Sequence, residues 1–359
     1  MAVQPPEKSI KPASIGVLIA NIGSPQDKTA SALRKYLGEF LSDPRIIDWP
    51  RWLWLPILHG IVLNVRPKKS ARLYQNIWDQ GSPLFNIMIK QAGQIEASLK
   101  DRGQQGIHIA VGMRYGSPSI AAGLNQLRQQ GARRIVVLPL FPQYSSTTSA
   151  SIYDAAFDEL KKWDWIPEVR LVNDYHDHPR YIQALADSIS ETWDGQAPPE
   201  KLLFSFHGVP KRYLDHGDPY RRQCSRTAAL VAERLGLNDE GWQLAFQSRF
   251  GPEEWLQPYT DKTLEQWGRQ ELNHVQVVCP GFSADCLETL DEINREARHI
   301  FEEAGGKTFD YIPALNNRSD HIDILVDVIL AHAGEGNDNS AERNLVQNGQ
   351  HLEKGIRVQ

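Results

Sequence analysis

LLFSFHGVP, residues 202–210, is a run of apolar residues that ends in histidine, glycine and proline. An apolar run of this length, closed by Gly and Pro, is typical of a strand that is buried on both faces of a sheet. VLIANIGSP, residues 17–25, has the same form, with Gly and Pro at the matching places. The two stretches predict equivalent strands of two similar domains, in which Ile22 and His207 occupy corresponding positions.

Further apolar runs alternate with helical patterns along the chain. The predicted strands are 16–22, 107–113, 134–141, 169–174, 202–206, 243–248, 275–282 and 308–312. Strand–helix alternation predicts parallel sheets with right-handed crossovers. The resemblance of VVLPLFPQYS (136–145) to VVCPGFSADC (277–286) supports an internal duplication. We therefore predict an α/β fold of two doubly wound, Rossmann-like domains with four-stranded parallel sheets.

The domain boundaries follow from the strand sets and from the polar ends of the chain. We expect an N-terminal tail over 1–14, a first α/β domain over 15–176 with an apolar lip at 40–66, a second α/β domain over 177–333 and a disordered tail over 334–359. The helix predicted at 318–333 closes the second set but could pack on either domain.

Composition excludes some classes of partner and favours one compartment. The 359 residues carry a formal net charge of −5, so we expect no nucleic-acid partner, because such binding needs a concentrated basic surface. The three cysteines form no CxxC pair, which fits a reducing compartment. The N-terminus has no signal-peptide core or transit pattern, so we expect a cytoplasmic protein.

WPRWLWLPILHGIVLNV, residues 49–65, is the most apolar segment of the predicted lip. It is too short to span a bilayer, which needs about 20 apolar residues. Its tryptophans and flanking arginines suit a surface that meets lipid headgroups or a flat apolar ligand. We expect peripheral contact with a membrane through this lip; an ordinary buried helix is the alternative.

The residues that directly follow strands line the predicted cleft, because ligands of doubly wound sheets bind beyond the carboxyl ends of strands. These segments are 21–25, 113–115, 142–151, 207–210, 247–255 and 282–288. No glycine-rich phosphate loop and no G-x-S-x-G elbow follows a predicted strand, which counts against nucleotide cofactors and α/β-hydrolase chemistry.

A histidine and a row of glutamates are the residues most able to carry chemistry in this cleft. His207 ends a strand, where an imidazole can act as a base or as a metal ligand. In the helix predicted over 283–299, Glu288, Glu292 and Glu296 share one face, and three carboxylates in line suit a cation better than they suit the helix. A structural histidine and a solvated acidic face are the alternatives. Together the two features predict a metal-handling cleft.

Seven blocks of sequence resemble the ferrochelatases of haem biosynthesis. They are LIANIGSPQD (18–27), RPKKSARLYQNIWDQGSPL (66–84), VGMRYGSPSI (111–120), LPLFPQYSSTTSAS (138–151), FSFHGVP (204–210), FQSRFGPEEWLQPYTD (246–261) and CPGFSADCLETLDEI (279–293). The resemblance covers most of residues 15–330 and implies the type II chelatase architecture.

The resemblance also implies roles for individual residues. His207 and Glu288 match the catalytic, metal-contacting pair, and Asp285, Glu292 and Glu296 match supporting acidic positions. The positions that match the lining of the porphyrin cleft are Ile22, Arg114, Tyr115 and Trp255. Many family members carry histidine where this chain has Cys286, so a metal-ligand role is not expected there.

The implied reaction is insertion of Fe²⁺ into protoporphyrin IX with release of two protons, the terminal step of haem biosynthesis. His207 would take a pyrrole proton or transiently bind Fe²⁺; alternatively the metal arrives from the side of Ile22 and Tyr115, and His207 has only the proton role. Fe²⁺ is a substrate, no cofactor is expected to be permanently bound, and no [2Fe–2S] cluster is expected because no cysteine follows Cys286. A chelatase for coproporphyrin or sirohydrochlorin and a non-catalytic tetrapyrrole carrier are the competing hypotheses.

Overall fold

A computed structural model of the chain describes residues 14–193 and 198–334. The predicted tails over 1–14 and 334–359 lie outside the described residues, apart from Ser14 and Gly334. The eight strands are β1 Ser14–Gly23, β2 Ile107–Tyr115, β3 Ala132–Pro139, β4 Glu168–Leu171, β5 Lys201–His207, β6 Trp242–Gln247, β7 His274–Val278 and β8 Thr308–Ile312.

Helices connect the strands throughout the described residues. The α-helices are α1 Ala30–Leu41, α2 Arg51–Ile57, α3 Leu63–Ile77, α4 Pro83–Asp101, α5 Ile120–Gln129, α6 Ser149–Leu160, α7 Pro179–Ser190, α8 Arg212–Asp215, α9 Tyr220–Arg234, α10 Thr260–Arg269, α11 Arg298–Glu303 and α12 Ser319–Ala333. Two segments are wound as π-helices, Leu58–Val62 and Glu288–Ala297, and Glu191–Trp193 forms a 3₁₀ turn.

The strands form two four-stranded parallel sheets of the same topology. Their orders are β2-β1-β3-β4 and β6-β5-β7-β8, so β1 and β5 hold equivalent inner places. In both sheets the order in which successive strands are added changes direction beside these strands. Such a switch point opens a crevice at the carboxyl ends of the strands. The prediction of two similar doubly wound sheets is confirmed.

Strand β7 is shorter than the sequence predicted. It ends at Val278, whereas the apolar run continues to Phe282. Pro280 has no N–H for the ladder, and the chain turns here, because the Phe282 N–H donates to the Cys279 carbonyl at 3.1 Å. The early turn lengthens the loop that leads to Glu288.

The two sheets share a core. One buried cluster contains Val17 and Ile19 of β1 together with Leu202 and Phe204 of β5. Helix α12 follows β8 of the second sheet but packs against α4 and β3 of the first, and α7 packs against α9, which lies beside β6. Ion pairs from Arg102, the residue after α4, to Asp323 and Asp327 reinforce the contact with α12. The helices thus link the halves in both directions.

The predicted lip over 40–66 contains the end of α1, helix α2, the first π-helix and the first residues of α3. Trp52, Ile61 and Val65 are 79%, 62% and 69% exposed, whereas Trp54 is buried and its Nε1 donates to the Leu41 carbonyl at 2.7 Å. The lip therefore has an inner face that packs on α1 and an outer apolar face. Within residues 14–193 and 198–334, no helix combines the length and the apolar character needed to cross a membrane.

Candidate active site

His207 is the last residue of β5 and lies at the carboxyl end of the second sheet. The preceding residues 202–206 are fully buried because both faces of the sheet are covered, whereas His207 is half-buried. Its Nδ1 lies 2.6 Å from the Gly208 carbonyl oxygen. A carbonyl oxygen can only accept, so Nδ1 carries the proton in this contact and Nε2 of the neutral ring keeps its lone pair. The side chain is arranged to accept a proton or to bind a cation.

The residue after His207 must be glycine. A Cβ on Gly208 would lie 2.8 Å from the Gln247 carbonyl oxygen and 3.2 Å from the Trp255 ring. The Gly208 N–H donates to that same carbonyl at 2.7 Å, and Trp255 is held by a hydrogen bond from its Nε1 to the Phe250 carbonyl at 2.9 Å. The structure therefore places Trp255 against the strand end that carries His207.

Glu288 begins a π-helix that runs to Ala297 and continues as α11. The sequence predicted an ordinary helix with its glutamates on one face. The structure instead winds this segment with i→i+5 hydrogen bonds, and the smaller rotation per residue still leaves residues four apart on about the same face. π-helical turns are rare and occur frequently at functional sites.

Gln247 connects this helix to the strand that carries His207. It is the register partner of His207 on β6. Its Nε2 donates to the Glu288 carbonyl oxygen at 3.1 Å and lies 3.5 Å from the Glu292 carboxylate. The hydroxyl of Ser248 also donates to Glu292. These contacts bring the helix start to the edge of the sheet where the imidazole lies.

Glu292 is the most perturbed carboxylate of the site. Burial raises the pKa of Glu292 above its ordinary value, and the neighbouring Glu288 charge acts in the same direction. The hydrogen bond from Ser248 and the charge of His207 oppose this shift without cancelling it. Glu292 therefore holds a proton more readily than an exposed glutamate does, and it lies within electrostatic range of the imidazole.

The other two predicted carboxylates lie in different surroundings. Asp285 is buried and accepts hydrogen bonds from Thr289, Tyr311 and Asn316. Glu296 is 51% exposed and pairs with Arg295 at 3.2 Å. The structure thus brings Glu292 within electrostatic range of His207 and ties the main chain of Glu288 to the same strand edge through Gln247. Asp285 lies in the loop before the helix, and Glu296 lies at the surface.

Arg114 and Tyr115 end β2 in the first sheet and share one carboxylate. Asp43 accepts hydrogen bonds from Arg114, from the Tyr115 hydroxyl at 2.8 Å and from the Ser151 hydroxyl at 2.6 Å. Burial alone would raise the pKa of Asp43, but hydrogen bonds from Ser151, the Arg45 N–H and Tyr115 lower it below its ordinary value, and so does the charge of Arg114. The polar groups of Arg114 and Tyr115 therefore bond Asp43 behind the cleft wall. The sequence analysis did not identify Asp43.

Ile22 and Tyr36 bring the first half to the helix start. Ile22, at the end of β1, packs against a buried group that includes Ala284 and Cys286. The Tyr36 hydroxyl donates to the Gly23 carbonyl at 3.2 Å, and burial followed by the Glu288 charge raises the pKa of Tyr36 well above its ordinary value. Tyr36 carries no motif in the sequence, so only the tertiary structure reveals it.

Arg66 is a cation at the edge of the lip. It stacks over the Phe250 ring at 5.2 Å, which joins α3 to the loop after β6. Burial lowers the pKa of Arg66. Within the part of the chain that the structure describes, no carboxylate pairs with it. An anionic group of a ligand would satisfy this guanidinium.

An ion pair joins the lip to the second half nearby. Arg212 donates to Asp48 of the segment before α2, with one nitrogen–oxygen distance of 2.8 Å, and also to Glu253. A cavity of about 410 Å³ lies between these segments; it is lined by Pro44, Arg45, Asp48, Tyr144, Ser146, Tyr213, His216, Gly217 and Asp218. The lip and the second half therefore meet at the cleft mouth.

Tight binding of a metal ion requires several donor side chains close together. Across 14–193 and 198–334, no group of three or more His, Cys, Asp or Glu side chains could hold a metal ion. Cys286 is buried, and this burial raises the pKa of its thiol well above the ordinary value. Since the thiolate is the metal-binding form, Cys286 is a poor ligand.

Comparison with known proteins agrees with this architecture. The family model described as Ferrochelatase matches residues 14–333. Curated ferrochelatases of Nitrosococcus oceani and Thioalkalivibrio sulfidiphilus are each 52% identical to the chain, over 321 and 320 residues; the alignments cover 89% of this chain and 87% of each relative.

Solved structures show the same fold at much lower identity. SirB from Bacillus subtilis with Fe³⁺ superimposes with a TM-score of 0.54 at 12% identity, covering 89% of this chain and 96% of that one. The architecture is that of the type II chelatases. The family match along the whole described core and the identity to curated relatives show that this chain belongs to the ferrochelatases, lyases that insert iron into porphyrin.

Proposed function

We propose that the cleft between the two sheets inserts Fe²⁺ into protoporphyrin IX, with His207 and Glu288 beside the reacting nitrogens. One arrangement carries this proposal: the His207 imidazole lies within electrostatic range of the Glu292 carboxylate, and Gln247, the register partner of His207, bonds the main chain of Glu288. An imidazole and carboxylates can both remove protons from the pyrrole nitrogens and attract the incoming cation.

The reaction requires two pyrrole N–H protons to leave while Fe²⁺ forms bonds to four nitrogens, so the charge of the core is balanced. His207 Nε2 accepts the two pyrrole protons one after the other. Glu292, whose pKa is raised by burial, takes each proton from the imidazolium and releases it to water before the next transfer, and Glu288 stabilises the positive ring. Fe²⁺ reaches the porphyrin either on this side or from the side of Ile22 and Tyr115; in the second case His207 has only the proton role.

The remaining residues bind and bend the macrocycle. Ile22 and Trp255 offer apolar surface on opposite sides of the cleft. Arg66, buried without a carboxylate partner in the described chain, pairs with a propionate of the porphyrin. Arg114 and Tyr115 hold the wall through Asp43. Binding energy from contacts at the edge of the cleft can offset the cost of distorting the porphyrin ring.

The lip supports a second part of the proposal, contact with a membrane surface. Trp52, Ile61 and Val65 project from it, and Trp49 is 47% exposed. Amphipathic side chains of this kind insert into the headgroup region without crossing the bilayer. An apolar porphyrin could then pass between lipid and cleft.

Replacement of His207 by alanine tests the proposal. The His207→Ala variant should lose at least 100-fold in kcat, in the range expected for loss of a general base, and should still quench porphyrin fluorescence on binding. His299→Ala, at a 68% exposed histidine, is the matched control. Turnover of His207→Ala within threefold of the control would reject the assignment.

The same assay separates the competing functions. Protoporphyrin IX, coproporphyrin III and sirohydrochlorin are supplied in turn with excess Fe²⁺, and product is followed by absorbance. We expect many turnovers with protoporphyrin IX and the highest kcat/KM for it. A higher kcat/KM for another tetrapyrrole would reject the substrate, and binding without turnover would indicate a carrier.

A further inference from the structure

Gln91 of α4 is a fully buried glutamine that reaches from the first half into the second. Its Nε2 donates to the Ser283 carbonyl at 3.2 Å and to the Asn316 carbonyl at 2.8 Å. Ser283 lies in the loop after β7 and Asn316 in the loop after β8. A single side-chain amide of the first half thus holds two loops of the second.

The loop after β7 leads to the start of the π-helix, and the loop after β8 contacts it through Asn316. The Asn316 side chain accepts from the Asp285 N–H at 2.8 Å and donates to the Asp285 carboxylate at 2.7 Å. Asp285 in turn accepts from the Thr289 hydroxyl at 2.9 Å, and Thr289 accepts from the Cys286 N–H at 3.0 Å. This series of hydrogen bonds ends at Cys286 and Thr289, which lie on either side of Glu288 in the sequence.

The same junction contains buried polar atoms that are left without a hydrogen bond by residues 14–193 and 198–334. They are Gln91 Oε1, Ser283 Oγ and His321 Nε2. His321 Nδ1 lies 2.7 Å from the Asn316 carbonyl, the acceptor that Gln91 also uses. Burial lowers the pKa of His321 to about 4, so the ring is neutral and Nε2 is an acceptor. Keeping such groups in a packed interior is costly, which indicates that the polar junction is retained for more than stability.

We propose that Gln91 is a positioning residue for iron insertion: through Asn316 and Asp285 it fixes the helix start and therefore the place of Glu288 opposite His207. The inference rests on the proposed role of Glu288. A Leu84 contact from the same helix to Ala284 and Cys286 adds apolar packing to the link. Since a misplacement of about 1 Å can cost roughly 100-fold in rate, a fixed loop matters more for turnover than for binding.

Gln91→Met keeps the length of the side chain and removes its donors. We expect kcat for iron insertion to fall at least tenfold, while the Kd for protoporphyrin IX changes less than threefold. Gln276→Met is the matched control: Gln276 is equally buried, lies in the middle of β7 and bonds Trp193 and Thr192. It should lower the Tm by a similar amount and keep kcat within twofold. Equal losses of kcat in both variants would overturn the proposal.

Hydrogen exchange gives a readout that does not depend on activity. The amides of Asp285 and Cys286 should exchange faster in Gln91→Met and at the parental rate in Gln276→Met. Unchanged exchange at both amides in Gln91→Met would refute the link. Should Gln91→Met fail to fold, Gln91→Asn, which shortens the side chain but keeps it polar, takes its place in both measurements.

A double-mutant cycle tests whether the effect passes through Glu288. Adding Gln91→Met to Glu288→Asp should lower kcat by less than threefold, because the carboxylate is already displaced. Additive losses would show that Gln91 acts elsewhere. Full activity of Glu288→Asp and Glu288→Gln alone would instead contradict the proposed function, while leaving the exchange result to decide the structural link.

Discussion

His207 and Gln247 lie side by side as register partners at the ends of β5 and β6, and the Gln247 amide reaches the main-chain oxygen of Glu288. The same edge of one sheet therefore fixes the positions of both the imidazole and the helix start. Gln247 also accepts from the Ser205 hydroxyl at 2.9 Å. This second contact fixes the orientation of its side-chain amide. The four predictions that follow depend on this arrangement and on the surroundings of the cleft.

Removing the Gln247 amide should disturb the geometry of the active site without preventing porphyrin binding. Gln247→Leu loses the bond to Glu288, and we expect kcat to fall roughly tenfold from misplacement of the reacting groups. Porphyrin affinity should be nearly unchanged. Gln243→Leu is the control, because Gln243 lies on the same strand and its side chain bonds Thr263 at 3.4 Å. Steady-state kinetics would contradict the prediction if both variants behaved alike.

Glu292 should make stability depend on pH in an unusual direction for a carboxylate. Its pKa is raised in the folded protein, so the folded state binds this proton more tightly than the unfolded chain does. The contribution to stability is then fully present below the unfolded pKa and is lost as the pH rises through the folded pKa. Glu292→Gln should therefore raise the Tm at pH 7 and have no such effect near pH 4.

The control for that measurement is Glu296→Gln, because Glu296 is half exposed and pairs with Arg295 at the surface. Its Tm should follow that of the parent protein at both pH values. A Tm of Glu292→Gln below that of the parent at pH 7 would show that the ionised carboxylate stabilises the fold and that burial is outweighed by its partners.

Asp43 should be essential to the wall of the first half. Its side chain is 3% exposed and bonds Arg114, Tyr115 and Ser151. Asp43→Asn leaves the Arg114 cation without its charge partner, which costs roughly 3 kcal/mol in buried pairs. Denaturant unfolding of this variant beside Asp154→Asn, whose partner Arg45 is more exposed, measures the difference. Equal losses would argue against a special role of the network.

The outer face of the lip should bind lipid. Trp52→Ser removes a 79% exposed indole, and co-sedimentation with vesicles of phosphatidylethanolamine and phosphatidylglycerol should fall severalfold. Trp165→Ser, at a 52% exposed tryptophan in the segment after α6, should bind like the parent protein. Retained binding of Trp52→Ser together with Trp49→Ser would count against membrane contact through this surface.

The fold and the position of His207 at a strand end were predictable because their signals are local. An apolar run closed by Gly and Pro indicates a buried strand wherever it occurs, so His207 could be placed at a strand end from nine residues of sequence. Glu288 could be placed because it follows the same kind of strand. These inferences need no knowledge of how the halves meet.

The supporting contacts were not predictable, because they join residues far apart in sequence. Gln247 and Glu288 are separated by 41 residues, Asp43 and Ser151 by 108, and Gln91 and Ser283 by 192. The π-helix also escaped prediction, because the apolar spacing of a short segment suits i→i+4 and i→i+5 winding almost equally. Tyr36 carries no motif and matters only because α1 lies over the helix start.

The packing of α12 on α4 and β3 has a consequence for biosynthesis. During translation, the first sheet can pair all four of its strands long before the second half exists, but β3 lacks the cover of α12 until that helix leaves the ribosome. Domains usually fold as units, N-terminal first, and exposed apolar surface promotes aggregation. In this chain the earlier half can reach its final stability only after α12 has been synthesised.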